Sequence, residues 1–153
     1  MTLRIVVDDL TGDATLRLIA AHLAGMHDLT PAESVHALDA GALADPAVTV
    51  WSAWQDEQLV GIGALKQLDP QRGELKSMRV DDRFRGTGAG RALLRHIVDA
   101  ARQRGIRSLW LETGADEGFL PARRLYESEG FSLCGPFADY RPDPLSVFMT
   151  RVL

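Results

Sequence analysis

The sequence is short of the residues that staple, ligate or span. It has 153 residues and a single cysteine, Cys134, so it can form no internal disulfide and no cysteine-rich zinc site. Its four histidines, His22, His27, His36 and His96, include no pair at the spacing of a zinc-protease helix, and no metal site is expected. Every apolar run falls far below the roughly 20 residues of a membrane span. The N-terminus opens on a strand-like run with no signal-type apolar core. The expectation is a cytoplasmic protein without a membrane partner. Positive charge is not in excess either: 17 Lys plus Arg against 21 Asp plus Glu leaves a net charge of −4. That balance argues against a nucleic-acid partner and against polybasic docking on lipid. What is present is ordinary globular material, 46% hydrophobic and 25% charged, enough for one core without staples. With no repeat and no low-complexity linker, residues 1–153 read as one domain.

Hydrophobic periodicity divides the chain into alternating elements. Residues 2–8 alternate as a strand, and 13–27 read as a helix through Leu16, Ile19, Leu23 and Met26. Thr30-Pro31, with Glu33 three residues after the threonine, predicts a second short helix. Strands are expected at 48–54, 59–66 and 74–80. A helix follows over 90–104 with Leu93, Leu94, Ile97, Val98 and Ala101 on one face and Gly105 as its stop. A strand at 107–112, a short helix at 121–129 and two final strands at 131–134 and 145–152 complete the order β-α-α-β-β-β-α-β-α-β-β. This predicts a mixed α/β sheet, parallel where helices join strands and antiparallel where turns do.

The strongest local signal is a strand, a glycine loop and a helix in succession: ELKSMRV, DDRFRGTGAG, RALLRHIVDAARQRG. Glycines allow close backbone approach and positive φ, and a helix N-terminus offers unpaired N–H groups and a positive dipole end. Together they suit a phosphate or pyrophosphate. The loop lacks the GxGxxG order of a dinucleotide fold and the Gly-Lys-Ser/Thr of a Walker loop.

RFRGTGAG after a strand ending in Met-Arg-Val resembles the acetyl-CoA signature of the GNAT N-acyltransferase superfamily, whose Gln/Arg-x-x-Gly-x-Gly/Ala pattern is met by Arg83, Gly86 and Gly88. RRLYESEGF at 123–131 resembles the family's late helix, whose tyrosine lies near the thioester sulfur. The segments PAESVHALD, GELKSMRV, LETG and CGPFADYRPDPLSVFMT resemble a branch of small bacterial members. The resemblance implies the GNAT fold: a central, twisted, mostly antiparallel mixed sheet, splayed between its fourth and fifth strands and flanked by helices. It implies acetyl-CoA as cofactor. Backbone N–H groups of Arg85, Gly86, Thr87, Gly88, Ala89, Gly90 and Arg91 would hold the pyrophosphate, with Arg83 opening the motif. The backbone of Met78, Arg79 and Val80 would pair with the pantetheine arm. Where many members carry an asparagine seven residues before the tyrosine, this chain has Phe119.

Acyl transfer to an amine requires proton removal from the acceptor, polarisation of the carbonyl oxygen and a proton for the thiolate. The resemblance implies direct attack, with Tyr126 as the general acid and a strand N–H near Met78 as the oxyanion donor. Glu74 and Glu112 are the candidate bases, each with the alternative of a satisfied strand-end carboxylate. Period 2 puts Glu74, Lys76, Met78 and Val80 on one strand face. The acceptor pocket is expected between the loop after the first helix (Glu33, Ser34, His36) and the last sheet connection (Tyr140, Arg141). A basic clamp of Lys76, Arg79 and Arg141 suggests a small-molecule amine that bears a carboxylate. Transfer to a peptide or protein amine, or acyl-CoA sensing without turnover, are the rival readings. A homodimer through exposed strand edges is a further expectation.

Overall fold

The computed structural model describes residues 2–31, 34–35 and 38–153. Seven strands form one sheet in the order β1-β2-β3-β4-β5-β7-β6. They are β1 (Arg4–Val7), β2 (Val48–Gln55), β3 (Gln58–Asp69), β4 (Arg72–Val80), β5 (Ser108–Gly114), β6 (Ser132–Cys134) and β7 (Ser146–Val152). The helices are α1 (Asp13–Leu29), α2 (Ala40–Leu43), α3 (Ala89–Gln103) and α4 (Leu120–Ser128). The element order agrees with the sequence reading, and every strand pair is antiparallel except β4–β5. β1 and β2 are antiparallel although two helices separate them, so a helical connection alone did not fix strand direction.

The sheet is covered on both faces. Leu18, Ile19 and Leu43 from α1 and α2 pack with Val50, Ile62 and Ala64 on one side. On the other, the apolar stripe of α3 (Leu93, Leu94, Ile97, Val98, Ala101) packs with Leu65, Leu75, Leu109, Leu111, Tyr126 and Met149. The buried face of α1 is Thr15, Leu18, Ile19 and His22, rotated from the stripe expected through Leu16 and Leu23. Thr30 caps the C-terminus of α1, its N–H donating to the Met26 carbonyl; the short helix expected from Thr30-Pro31 lies largely outside the described residues, and the Ser34 N–H donates to the Pro31 carbonyl. The short helix α2 is capped by Asp39, whose carboxylate accepts from the Ala42 N–H. Glu33, the other half of the expected capping box, and His36 lie outside the described residues.

Two irregularities shape the centre of the sheet. The parallel β4–β5 ladder has three pairs only, Arg72 with Ser108, Gly73 with Leu109 and Glu74 with Trp110. Beyond Glu74 the strands part: β4 stays with β3 and β5 with β7. The second is a bulge in β4. The β3 register shifts between Ile62 and Ala64, which face Arg79 and Lys76, and Ser77 takes a φ of 55°. An extra residue reverses the alternation that follows. Glu74 and Lys76 stand on the α1 side next to Tyr140. Met78 packs on the α3 side, where a Cβ on Gly63 would come within 2.6 Å of its sulfur and 2.7 Å of Ile97. Arg79 turns back to α1, against Gly25. The expectation that Glu74, Lys76, Met78 and Val80 share one face is therefore corrected, because strict period 2 does not survive a bulge.

Candidate active site

At the fork of β4 and β5 lies a small cavity of about 50 Å³. α1 contributes His22 and Met26, the segment after it Thr30, Ser34 and Val35, and β4 the run Glu74 to Ser77. β5 contributes Glu112, Thr113 and Gly114, and the wall is closed by Phe119, Tyr140 and Leu145. Both candidate bases, Glu74 and Glu112, therefore face one space. Phe119 is 7% exposed. Its ring lies so close to Gly114 that a Cβ there would come within 2.1 Å of it. An apolar ring thus occupies the position where the family resemblance led one to look for an amide.

A wider cleft of about 460 Å³ adjoins it, lined by Lys66, Leu68, Glu74, Lys76 and residues 138–143. Glu74, Lys76 and Tyr140 line both spaces and form their common wall. The Tyr140 hydroxyl donates to Glu74 Oε2 at 2.5 Å. The Lys76 ammonium lies 3.1 Å from the same oxygen and 3.0 Å from the Tyr140 hydroxyl. Burial, then the charge of Glu74, raises the Tyr140 phenol far above its ordinary pKa, so it remains a donor. The ring is pinned by Phe137 and Phe148, with centroids at 5.0 and 5.5 Å. Ser34 donates to Asp143 at 2.7 Å, tying the segment after α1 to the β6–β7 connection across the cavity.

The glycine loop runs along the exposed surface into α3. Gly88 caps the helix with φ 86°, in the left-handed region, and no side chain caps the first turn. The helix's own ladder starts with the Ala92 N–H on the Gly88 carbonyl, so the N–H groups of Ala89, Gly90 and Arg91 precede it. No acidic residue stands in that turn. The arginine side chains nearby are taken up locally. Arg83 pairs with Asp81 at 3.0 Å and Arg85 with Asp82 at 2.9 Å. Arg91 bonds Ser128 and Glu129, and Arg95 bonds Glu129 as well. The loop thus presents an anion with backbone donors and a helix dipole.

Of the remaining expected residues, Arg141 lines the outer cleft but Arg79 does not. The Arg79 guanidinium lies against α1 and 3.7 Å from Asp82; the third cation of the cleft is Lys66. Tyr126 is 7% exposed, packed in the α3-side core and edge-on to Phe131 at 5.8 Å. Burial raises its phenol well above the usual value, so it is protonated at neutral pH. Sequence reasoning passed over His22, Met26, Ser77 and Leu145. For His22 a signal existed: Thr15, Leu18, Ile19, His22 and Met26 follow the 3–4 spacing of a helix face.

The chain matches the model of the Acetyltransferase (GNAT) family over residues 17–131. It is 48% identical over 151 residues to the uncharacterized N-acetyltransferase YsnE of Bacillus subtilis, covering 99% of this chain and 100% of that one. The chain belongs to the GNAT acetyltransferase family. A second GNAT relative, the IAA acetyltransferase of Azospirillum brasilense, is 42% identical over 142 residues, 92% of each chain. The crystal structure of a Klebsiella pneumoniae protein, assigned provisionally as an acyl-CoA N-acyltransferase, superposes with a TM-score of 0.81. It is 30% identical and covers 99% of this chain and 98% of its own. This GNAT chain is accordingly an acyltransferase, and the acyl donor of its family is acetyl-CoA. The residues present fit that donor: the N–H groups of Ala89, Gly90 and Arg91 precede the α3 ladder and suit a pyrophosphate, and the β4–β5 ladder ends at Glu74. Among the described residues no helix is long and apolar enough to cross a membrane.

Proposed function

We propose that this GNAT chain moves an acetyl group from acetyl-CoA to the amine of a small molecule that carries a carboxylate. The observation that carries the reading is the cavity at the β4–β5 fork, where Glu74 and Glu112 face one space. Acetyl-CoA supplies an activated acyl group. Backbone N–H groups from Arg85 to Arg91 bind its pyrophosphate, and the β4 backbone at Met78, Arg79 and Val80 orients its arm. Glu74, through water, takes the proton that the acceptor nitrogen gives up, with Glu112 as the other carboxylate of the chamber. Tyr126, protonated because it is buried, returns a proton to the departing sulfur. Ser34, Tyr140 and Arg141 form the acceptor's surroundings. Lys66 and Arg141, on the outer cleft, suit a carboxylate, whereas Lys76 is held by Glu74 and Tyr140. The Azospirillum relative's name supports a small-molecule acceptor. The chain works as one N-acetyltransferase domain in the cytoplasm, with β1 and β6 as sheet edges open to a second copy.

Thiol release from acetyl-CoA against amines, amino acids and short peptides tests this. Turnover is expected with an amine-bearing carboxylic acid, and Tyr126→Phe should lower kcat by about 100-fold with the fold intact. Arg141→Ala should raise the acceptor KM. Turnover confined to peptides would overturn the small-molecule reading, and unchanged kcat in Tyr126→Phe would remove the acid role.

A further inference from the structure

Four buried side-chain atoms have no hydrogen-bond partner among the described residues: His22 Nδ1, Ser77 Oγ, Arg79 Nε and Ser146 Oγ. Two of them, His22 Nδ1 and Ser77 Oγ, belong to residues lining the same cavity. An orphaned buried polar atom costs about 1–3 kcal/mol, and native structures leave few. Two from different elements, α1 and the β4 bulge, meeting at one space point to a polar ligand that completes both. Four other polar side chains of that wall have protein partners. Ser34 bonds Asp143, Lys76 bonds Glu74 and Tyr140, and Tyr140 bonds Glu74. Neither orphan is placed by chance of exposure: His22 is 4% exposed, and Ser77 is held at φ 55°, a conformation that serine rarely adopts.

The chemistry of the pair is complementary. A hydroxyl can donate, and a neutral imidazole keeps one nitrogen as an acceptor. His22 is neutral because burial, reinforced by the nearby Arg79 charge, lowers its pKa to about 4. It is thus too weakly basic to retain a proton at neutral pH and can only orient an N–H. Ser77 precedes Met78, the part of β4 near which the family resemblance puts the oxyanion donor.

We propose that His22 and Ser77 bind the two reacting ends in the chamber, the imidazole accepting from the acceptor's N–H and the Ser77 hydroxyl donating to the thioester oxygen. The inference rests on the acetyl-transfer reading above. In transfer the N–C bond forms as the C–S bond breaks. The acceptor nitrogen loses one proton, the sulfur gains one, and His22 and Ser77 are unchanged.

Calorimetry of CoA and acetyl-CoA tests the serine without any acceptor. Ser77→Ala should lose about tenfold of acetyl-CoA affinity relative to CoA, one hydrogen bond's worth. An unchanged ratio overturns that half. With the panel amine that turns over best, His22→Leu should raise the acceptor KM about tenfold, with acetyl-CoA affinity and kcat little altered. His22→Asn, which keeps an acceptor atom, should recover part of the loss. The Leu variant should melt no lower than the wild type, because an orphaned atom has been removed. A KM unchanged in His22→Leu, or an Asn variant as poor as Leu, overturns the imidazole's role. Should no panel amine turn over, it is the transfer reading that fails, and the Ser77→Ala ratio still decides the chamber.

Discussion

A histidine on the core face of α1 can stay there only without its proton. His22 follows Thr15, Leu18 and Ile19 on the buried stripe, and burial with Arg79 nearby puts its pKa at about 4 against an ordinary 6.5. Above pH 6.5 the ring is neutral in both folded and unfolded chains, and its contribution to stability is complete. As the pH falls from 6.5 toward 4 the unfolded chain takes up a proton that the folded chain refuses, so stability is lost across that window. The full span is of order 3 kcal/mol, taking the shift between 6.5 and about 4 at the usual free energy per pKa unit. Melting temperatures measured between pH 4 and 7 should therefore fall more steeply for wild type than for His22→Leu. Asp81 and Glu129 have lowered pKa values through their arginine partners and also titrate at acid pH, but they do so equally in both proteins. Identical slopes would mean that the ring is protonated or solvated in the folded chain. Nothing in the sequence around His22 marks it as functional; only its place on an otherwise buried face does.

At the scale of elements, the legible features were those built from local pattern. The apolar stripe of α3, the glycines before it and the order of elements along the chain follow from periodicity and turn residues. What period 2 could not supply was the bulge at Ser77, since a single extra residue depends on how β3 pairs with β4 and leaves no mark in hydropathy. The same limit applies to the arginines of the glycine loop. Their number invites a charge-based reading of anion binding, yet Asp81 and Asp82 occupy Arg83 and Arg85. Exposed pairs of this kind contribute little and are screened by salt. The backbone at Gly88, with φ 86°, is the feature that aims the first N–H groups of α3. Gly88→Ala forces a left-handed alanine at about 1–2 kcal/mol and should weaken CoA binding about tenfold. Gly88→Asn should cost less, because asparagine tolerates that region. Arg83→Gln should change affinity less than threefold, by the small worth of an exposed pair. Calorimetric titration of the three variants ranks them, and a larger loss for Arg83→Gln than for Gly88→Ala would show that side-chain charge, not loop geometry, holds the anion.

The molecule as a whole is two sheet portions joined at a short seam. β1 to β4 form one and β5, β7 and β6 the other, and among the described residues the only ladder between them is the three pairs from Arg72–Ser108 to Glu74–Trp110. Side-chain links reinforce it from each end. Glu129 gathers Arg91 and Arg95 of α3 at the end of α4, and Tyr140 reaches Glu74 from the β6–β7 connection. The outer cleft sits at this second link, and it was the hardest part to read from sequence, since Lys76 and Glu74 meet Tyr140 from 64 and 66 residues away. A seam completed by so few pairs leaves the facing backbone of residues 75–80 and 111–114 without strand partners across the fork. An extended pantetheine arm laid along β4 would occupy that edge as an added strand does. It would also stabilise the folded state by about 2.7 kcal/mol at a hundredfold excess over Kd. Hydrogen exchange should thus show amides within 75–80 and 111–114 opening early in the free protein and becoming protected on adding CoA, with the β2–β3 hairpin unchanged. Uniform protection across all strands would instead mean that the two portions open only by global unfolding, and that the fork is not the weak line of the fold.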